Sequence, residues 1–549
     1  MFRTGWSMIF FAFVGLPVLV ICLSLTSFNE AILSFDAYAS FIQETSLNET
    51  FIKEFSEFFN SRTTLYNQKV NPNGNPATGD PAFNCPNMEG HSKVPPTDVH
   101  SLRPNDVKVV GAMGDSVTAA LGAGAMTLVE MSLEYRGQSF SIGADNDYTL
   151  TATVPNALRQ FNPNVVGASH RVAPVWFKYF SQLNVAVSGA VAENMTDQAV
   201  ELVKRIKEMT ELDFDKDWKL VTVFVGNNDV CHHCEDADRY SADNYYAHLN
   251  DAMQYLADNL PRTFVNLVGI EHMNILNEAN AASPYCARMH KTECPCATAA
   301  DTAALSEQYQ AANARVADNY ATRDDFTVVV QPCAEKMGFP KLPDGTPDFS
   351  YMAPDCFHPS TIGHALWAKS LWNNMLQPVG AKSMLIDFNV ETTMTCPDPA
   401  CPLLRTSKNS ADCSTYFDAT NFVLTPGVNQ QQNGVHTFNG AYAKSVDSPP
   451  PTDWDPDAYI QNRPAAEKVP EITIKIPADM RLVVSNPDLS KATKFSFSIL
   501  GVVIGLLLGV VCCVLAFRAY LRKRDQNDGR LGEKTPLLAD RESDRVQIY

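Results

Sequence analysis

Positive charge is scarce in this chain: 43 Lys and Arg stand against 61 Asp and Glu over 549 residues, a formal net charge of −18. Nowhere does a basic run interleave with aromatics. A surface of that sign repels phosphate backbones and argues against a nucleic-acid partner. No internal repeat is present, which leaves out solenoid and propeller architectures. Wholesale disorder is excluded by a hydrophobic content of 45%, enough for a sizeable core in a chain of two to four average domains.

Charge is missing altogether from Phe495 to Phe517, "FSFSILGVVIGLLLGVVCCVLAF". Such a run is long enough to cross a bilayer as one transmembrane helix. Arg518, Arg522, Lys523 and Arg524 follow it, so residues 518–549 are expected to be the cytosolic tail of a type I protein. The first apolar segment, Met8 to Leu23, is shorter and contains Pro17, as in a secretory signal; residues 1–24 are read as a signal peptide or signal-anchor. The region between faces the lumen or the cell exterior. Its eleven cysteines (Cys85, Cys231, Cys234, Cys286, Cys294, Cys296, Cys333, Cys356, Cys396, Cys401 and Cys413) should mostly pair there, leaving an odd one. Asn48 and Asn194 head Asn-X-Thr sequons that this topology exposes to glycosylation.

Within that region, residues 25–85 form an aromatic-rich, helix-permissive extension ending in Asn, Gly and Pro. From Val107 the texture changes. Strand patterns "VKVVGAM", "LNVAVSG", "KLVTVFVG", "RTFVNLVGI" and "FTVVV" are followed by helical patterns such as "TDQAVELVKRIKEM", "SADNYYAHLNDAMQYLADNL", "TAALSEQYQAANARVADNY" and "STIGHALWAKSLWNNML". Continuous Val/Ile/Leu strands alternating with helices predict an α/β domain, a parallel sheet covered on both faces, over residues 86–385. Residues 386–494, with "CPDPAC", "SPPPTDWDPD" and a strand pattern "EITIKI", read as a cysteine-tied tail and Pro-rich stalk.

In such sheets ligands bind beyond the carboxyl ends of the strands. Four corners lie there: Gly114-Asp115-Ser116, Ser188-Gly189-Ala190, Gly226-Asn227-Asn228-Asp229 and Asp355-Cys356-Phe357-His358. Taken singly each is ordinary. Ser116 could be a plain helix cap, and the others a tight turn, a turn-forming Asn and a polar loop. Together they supply the parts of serine ester hydrolysis. His358 can take the Ser116 proton, and Asp355 can hold the imidazole. The Ser116 and Gly189 N–H groups and the Asn228 amide can serve as oxyanion donors.

These corners, with "VPPTDVHSLRPNDVKVVGAMGDSVTAALGAGA", "NVAVSGAVAENM", "VTVFVGNNDVC" and "DCFHPSTIGHALWAKSLWNNMLQPVG", resemble the GDSL or SGNH hydrolase superfamily and, within it, the membrane-associated phospholipase B family. The resemblance implies a three-layer flavodoxin-like domain, Ser116 as nucleophile, Gly189 and Asn228 in the oxyanion hole, and Asp355 with His358 completing the triad. Two positions depart from the pattern: Val117 replaces Leu, and Asn227 replaces Gly. No G-x-S-x-G is present, which sets aside the α/β-hydrolase nucleophile elbow. His364, inside the last helix pattern, is expected to pack rather than react. Cys231-His232-His233-Cys234 is expected to form disulfides rather than hold zinc, and Cys286, Cys294 and Cys296 to staple the long loop after the fourth strand.

The resemblance implies a phospholipid and lysophospholipid substrate with no metal or other cofactor. An SGNH esterase acting on acetylated glycans and a non-catalytic lumenal binding module are the alternatives. Glu533, Leu537 and Leu538 in "EKTPLL" form an acidic dileucine pattern of the kind adaptor proteins read. The expected location is therefore the plasma membrane or the endosomal and lysosomal system. Asp355 beside His358 is expected to raise the imidazole pKa, which favours work at the cell surface or in early endosomes.

Overall fold

The computed structural model describes residues 49–70, 78–85, 90–127, 129–388 and 390–424. Four parallel strands make the central sheet: β1 (Val107–Gly114), β2 (Trp218–Phe224), β3 (Thr263–Val268) and β4 (Phe326–Gln331), side by side in that order. Almost every strand residue is buried, as Val/Leu/Phe runs require when both faces are covered.

The helices used below are α1 (Glu49–Lys69), α2 (Ser116–Ala119), α3 (Met195–Glu208), α4 (Asn227–His232), α5 (Ala242–Asn259), α6 (Pro284–Glu293), α7 (Thr302–Asp318) and α8 (Thr361–Leu376). Strand side chains alternate between the two layers. Gly111 and Val221 face α3, where a Cβ on Gly111 would come within 3.0 Å of the Leu202 side chain. Phe224 and Asn266 face α8: the Phe224 and Trp367 rings lie 5.2 Å apart, and the Asn266 amide reaches the Met375 sulfur at 3.1 Å. Helix α8 is buried nearly all round: thirteen of its 16 residues are buried.

The run expected as a strand over 183–189 departs from regular structure. It pairs with β1 through Ala112 N–H to Leu183 O, Val185 N–H to Ala112 O and Val187 N–H to Gly114 O, at 3.0, 3.0 and 3.1 Å, but registers only as a bridge at Asn184. The buried Arg136 guanidinium donates to the carbonyls of Asn184 and Ala186 at 3.1 and 2.8 Å, so a side chain, not another strand, closes the sheet edge. Counting this segment second, the spatial order is 2-1-3-4-5, that of the flavodoxin-like doubly wound sheet. The point where the winding reverses lies between β1 and β2, the strands that precede Ser116 and Asn227.

Among the described residues five disulfides, most of whose cysteines are buried, cross-link the chain: Cys85–Cys396, Cys231–Cys294, Cys234–Cys296, Cys286–Cys356 and Cys401–Cys413. The odd cysteine among the described residues is Cys333, buried and free. Residues 390–424 lie on the sheet domain. Leu404 N–H donates to Leu102 O, Arg405 N–H to Met375 O, and Val423–Leu424 pairs antiparallel with Gly90–His91.

No helix among the described residues is long and apolar enough to cross a membrane. The segments read as signal (1–24), stalk strand (471–476), transmembrane helix (495–517) and cytosolic tail, with Asn48, Glu533, Leu537 and Leu538, lie outside the described residues.

Candidate active site

The end of β1 is shaped for a tight strand-to-helix junction. Gly114 has φ +151°, and a Cβ there would sit 2.3 Å from the Phe224 carbonyl oxygen, so a side chain is not tolerated. Gln198 of α3 clamps it, accepting from the Gly114 N–H and donating to the Gly114 carbonyl, both at 2.8 Å. Asp115 then caps α2 through Val117 N–H at 2.9 Å. The cap is therefore Asp115. Ser116 is the first helical residue, and its hydroxyl is left for other work.

That hydroxyl meets the loop before α8. Ser116 Oγ lies 2.7 Å from His358 Nε2, and His358 Nδ1 lies 2.8 Å from Asp355 Oδ2. Asp355 Oδ1 accepts from the N–H groups of Phe357 and His358, at 2.9 and 3.0 Å. All three side chains are buried, with Ser116 at 5%, Asp355 at 3% and His358 at 6% exposure. Burial alone would push the Asp355 carboxyl up. The His358 charge, its hydrogen bond and the two backbone N–H groups outweigh that and hold it below the usual carboxylate range.

The other two corners lie at the ends of the segments beside β1, where Val187 N–H donates to the Gly114 carbonyl at 3.1 Å. Gly189, with φ +82°, is exposed, and a Cβ there would meet nothing within 4 Å. Asn228 donates one amide hydrogen to the Ala190 carbonyl at 2.9 Å, which sets its side chain one residue from Gly189 with a second hydrogen still to give. Ser188, beside Gly189, donates to Glu134 at 2.7 Å, and Glu134 in turn pairs with Arg136. The Gly189 loop is thus held from behind by an ion pair between the buried Arg136 and the half-buried Glu134.

Asn227 turns inward. It is 4% exposed and hydrogen-bonds Glu271, whose carboxyl burial pushes up to about 6. The Asn-for-Gly change therefore fills an interior site. His364 packs as expected: it is buried, stacks on Phe140, and is pushed by burial down to about 3. Cys231 and Cys234 are disulfide-bonded, to Cys294 and Cys296, so their thiolates are not zinc ligands, and the pairing runs across to the later cysteines. Asn194 is exposed, and its side-chain oxygen accepts from Val191 N–H.

Sequence reasoning named Cys356 as a cysteine of this corner but not its partner, and missed Glu293 and Arg62. Cys356, at φ +65° between Asp355 and His358, is bonded to Cys286 of α6, and His290 of α6 donates to the Cys356 carbonyl at 3.2 Å. Glu293, the last residue of α6, places a carboxylate oxygen within 4.8 Å of both Asp355 and His358 ligand atoms. Arg62 of α1 donates through Nε to the Met352 carbonyl at 2.8 Å, bracing the loop from outside. Only Cys356 left a trace in the sequence, by its place in the motif. Glu293, Asp355 and His358 do not make a metal site, because both His358 nitrogens are already taken, by Ser116 and Asp355. His100, clustered with Asp98 and Asp324, is likewise occupied by Thr406 and the Arg323 carbonyl.

Residues 110–371 match the family described as GDSL-like Lipase/Acylhydrolase. The chain is similar to proteins called "Phospholipase B1, membrane-associated": 40% identical over 344 residues in Homo sapiens, 39% over 342 in Mus musculus and 38% over 346 in Rattus norvegicus. Those alignments cover 59 to 60% of this chain, whereas the chain spans only 23% of each relative's length.

Proposed function

We propose that the chain is a carboxylic ester hydrolase that cleaves the acyl esters of glycerophospholipids and lysophospholipids, a reading that starts from the match of residues 110–371 to the family described as GDSL-like Lipase/Acylhydrolase. One observation carries the reading: the unbroken line from Ser116 Oγ to His358 Nε2, and from His358 Nδ1 to Asp355 Oδ2, at 2.7 and 2.8 Å. The substrate class is supported by the relatives named as phospholipases.

The Ser116 oxygen attacks the ester carbonyl carbon while its proton passes to His358 Nε2. Asp355, charged and fixed by two backbone N–H groups, holds Nδ1 protonated and stabilises the imidazolium. Negative charge forms on the former carbonyl oxygen, where the N–H groups of Ser116 and Gly189 and the spare Asn228 hydrogen await it. The intermediate collapses with its C–O bond breaking, and His358 returns the proton to the departing lysolipid or glycerol oxygen. Water, deprotonated by His358, then hydrolyses the acyl-Ser116 ester and releases the fatty acid.

The anchoring of this chemistry rests on the sequence. Phe495–Phe517 as a single transmembrane helix fits the relatives' description as membrane-associated, and the "EKTPLL" tail is suited to adaptor contact and endosomal sorting. The deciding experiment incubates the purified chain with defined phosphatidylcholine and lysophosphatidylcholine and measures fatty acid and glycerophosphocholine together. Release of both, abolished in Ser116→Ala, is the expected result. Absence of fatty-acid release from either substrate overturns the reading.

A further inference from the structure

Among the described residues eleven large apolar side chains are exposed, and three of them are tied to the same corner. Leu133 is 40% exposed, Trp176 57% and Val187 41%. Leu133 precedes Glu134 and Val187 precedes Ser188, the two residues joined by the 2.7 Å bond behind Gly189. Ala173, three residues before Trp176, donates its N–H to the Glu134 carbonyl at 3.1 Å and accepts from Arg136 Nε at 2.8 Å. Around Trp176 runs "PVWFKYF", residues 174–180, in which Val175, Phe177 and Tyr179 are all only half-buried. None of these residues takes part in the chemistry above.

The segment is rigidly held in spite of its exposure. Arg205 of α3, itself buried, donates to the carbonyls of Val175 and Gln182 at 2.9 and 2.7 Å, and Ser181 adds a second bond to the Val175 carbonyl at 2.9 Å. The Phe180 ring anchors those of Phe177 and Tyr179 from below, at 5.2 and 5.0 Å. The structure thus fixes an apolar, Trp-bearing edge beside the oxyanion corner and presents it to solvent.

We propose that Leu133, Val175, Trp176, Phe177 and Val187 form a docking rim for the surface of a phospholipid bilayer or micelle, seating the acyl ester next to Ser116. The inference rests on the lipid-hydrolase reading and deepens it. Tryptophan and its aromatic neighbours favour the boundary between headgroups and acyl chains, where an apolar body and a polar edge are both accommodated. Ser116 and His358 are buried, so a substrate must rise out of its lipid layer to reach them, and an apolar rim pressed into that layer shields the passage from water. Lys178, the cation within the segment, is already paired with Glu201 and Glu208. Docking is therefore apolar and does not depend on anionic headgroups.

The test uses the full chain with two substrates, phosphatidylcholine in mixed micelles and a water-soluble short-chain ester. Trp176→Ser, alone and with Phe177→Ser, is expected to lower the ratio of micellar to soluble turnover about tenfold, with soluble-ester turnover held within about twofold. Val379→Ser, an exposed apolar change just past the end of α8, should leave the ratio unmoved. The tenfold loss should persist as salt is raised. Equal loss on both substrates, an unchanged ratio, or recovery of the ratio by anionic lipid overturns the rim. No turnover of either substrate by the unaltered chain overturns instead the hydrolase reading beneath it.

Discussion

His358 Nε2 stands 2.7 Å from Ser116 Oγ although 242 positions of sequence separate the two residues. The contact joins the amino end of α2, delivered by β1, to the loop ahead of α8, which packs on the opposite layer from α3. Everything argued about chemistry depends on that closure being held, and it is held by a backbone-bonded Asp355, a disulfide through Cys356 and an N-terminal helix laid over the loop.

Removing the nucleophile should separate chemistry from folding. Ser116→Ala is expected to lower kcat by about 10⁴- to 10⁶-fold, and Asp355→Asn by about 10⁴-fold, because an amide no longer fixes the imidazole tautomer. Thermal unfolding of Ser116→Ala should stay close to that of the unaltered chain. Retained ester turnover in Ser116→Ala would place the nucleophile elsewhere.

Asn228→Ala tests the oxyanion corner. It removes a donor and also frees the Ala190 carbonyl. The expected loss is about 10²- to 10³-fold in kcat with KM little changed, measured on the same short-chain ester.

The Cys286–Cys356 bond closes a loop of 70 residues and fastens the triad loop to α6. Cys286→Ser with Cys356→Ser should cost about 4 kcal/mol in stability by loop-closure entropy. Below its lowered melting temperature the variant should also turn over more slowly, since Asp355 and His358 flank the released position. Urea unfolding paired with kinetics reads both effects.

Stability should depend on pH in a sense set by two opposed groups. Burial raises Asp115, Asp229 and Glu335 to about 7, and raises Glu293 well above its usual range. The folded state keeps these protons after the unfolded chain has lost them, so stability falls as pH rises from the free carboxyl value to about 7. Burial lowers His170 and His290 to about 4 and His364 to about 3. There the unfolded chain binds protons first, so stability falls as pH drops below the free histidine value. The two trends oppose each other from roughly pH 4.5 to 6.5; from about pH 6.5 to 7 the acids act without the histidines, and above 7 the buried Lys382 and Lys219, lowered to about 7 and about 8, act in the opposite sense because the unfolded chain keeps their protons. Melting temperature should therefore change little across the mildly acidic range and decline from about pH 6.5 to 7; a rise over that upper interval would contradict the assignment of buried neutral acids.

Much of this was readable before any coordinate. Strands such as "KLVTVFVG" and "RTFVNLVGI" are apolar on both faces, which fixes a covered parallel sheet, and the rule that ligands gather past strand ends pointed to all four corners. The segment at 183–189 was less legible. Its apolar alternation asks for a strand, yet Arg136, nearly fifty residues earlier, takes its outer carbonyls and ends the sheet. Glu293 and Arg62 were not legible at all, because an acid at the end of one helix and an arginine on another carry no local pattern that names the loop they meet.

By itself the sequence determined which residue types stand at strand ends, because periodicity and turn chemistry are local properties of the chain. It determined too that a Ser, a His, an Asp and an Asn were available for ester chemistry. The tertiary structure decided which of them touch, how Cys231 and Cys234 are paired, and that Asp115, not Ser116, caps its helix. It also set an apolar edge beside the reacting groups. Those outcomes depend on contacts between segments tens to hundreds of residues apart, whose closure is settled by packing and burial of the whole domain and not by any stretch read alone.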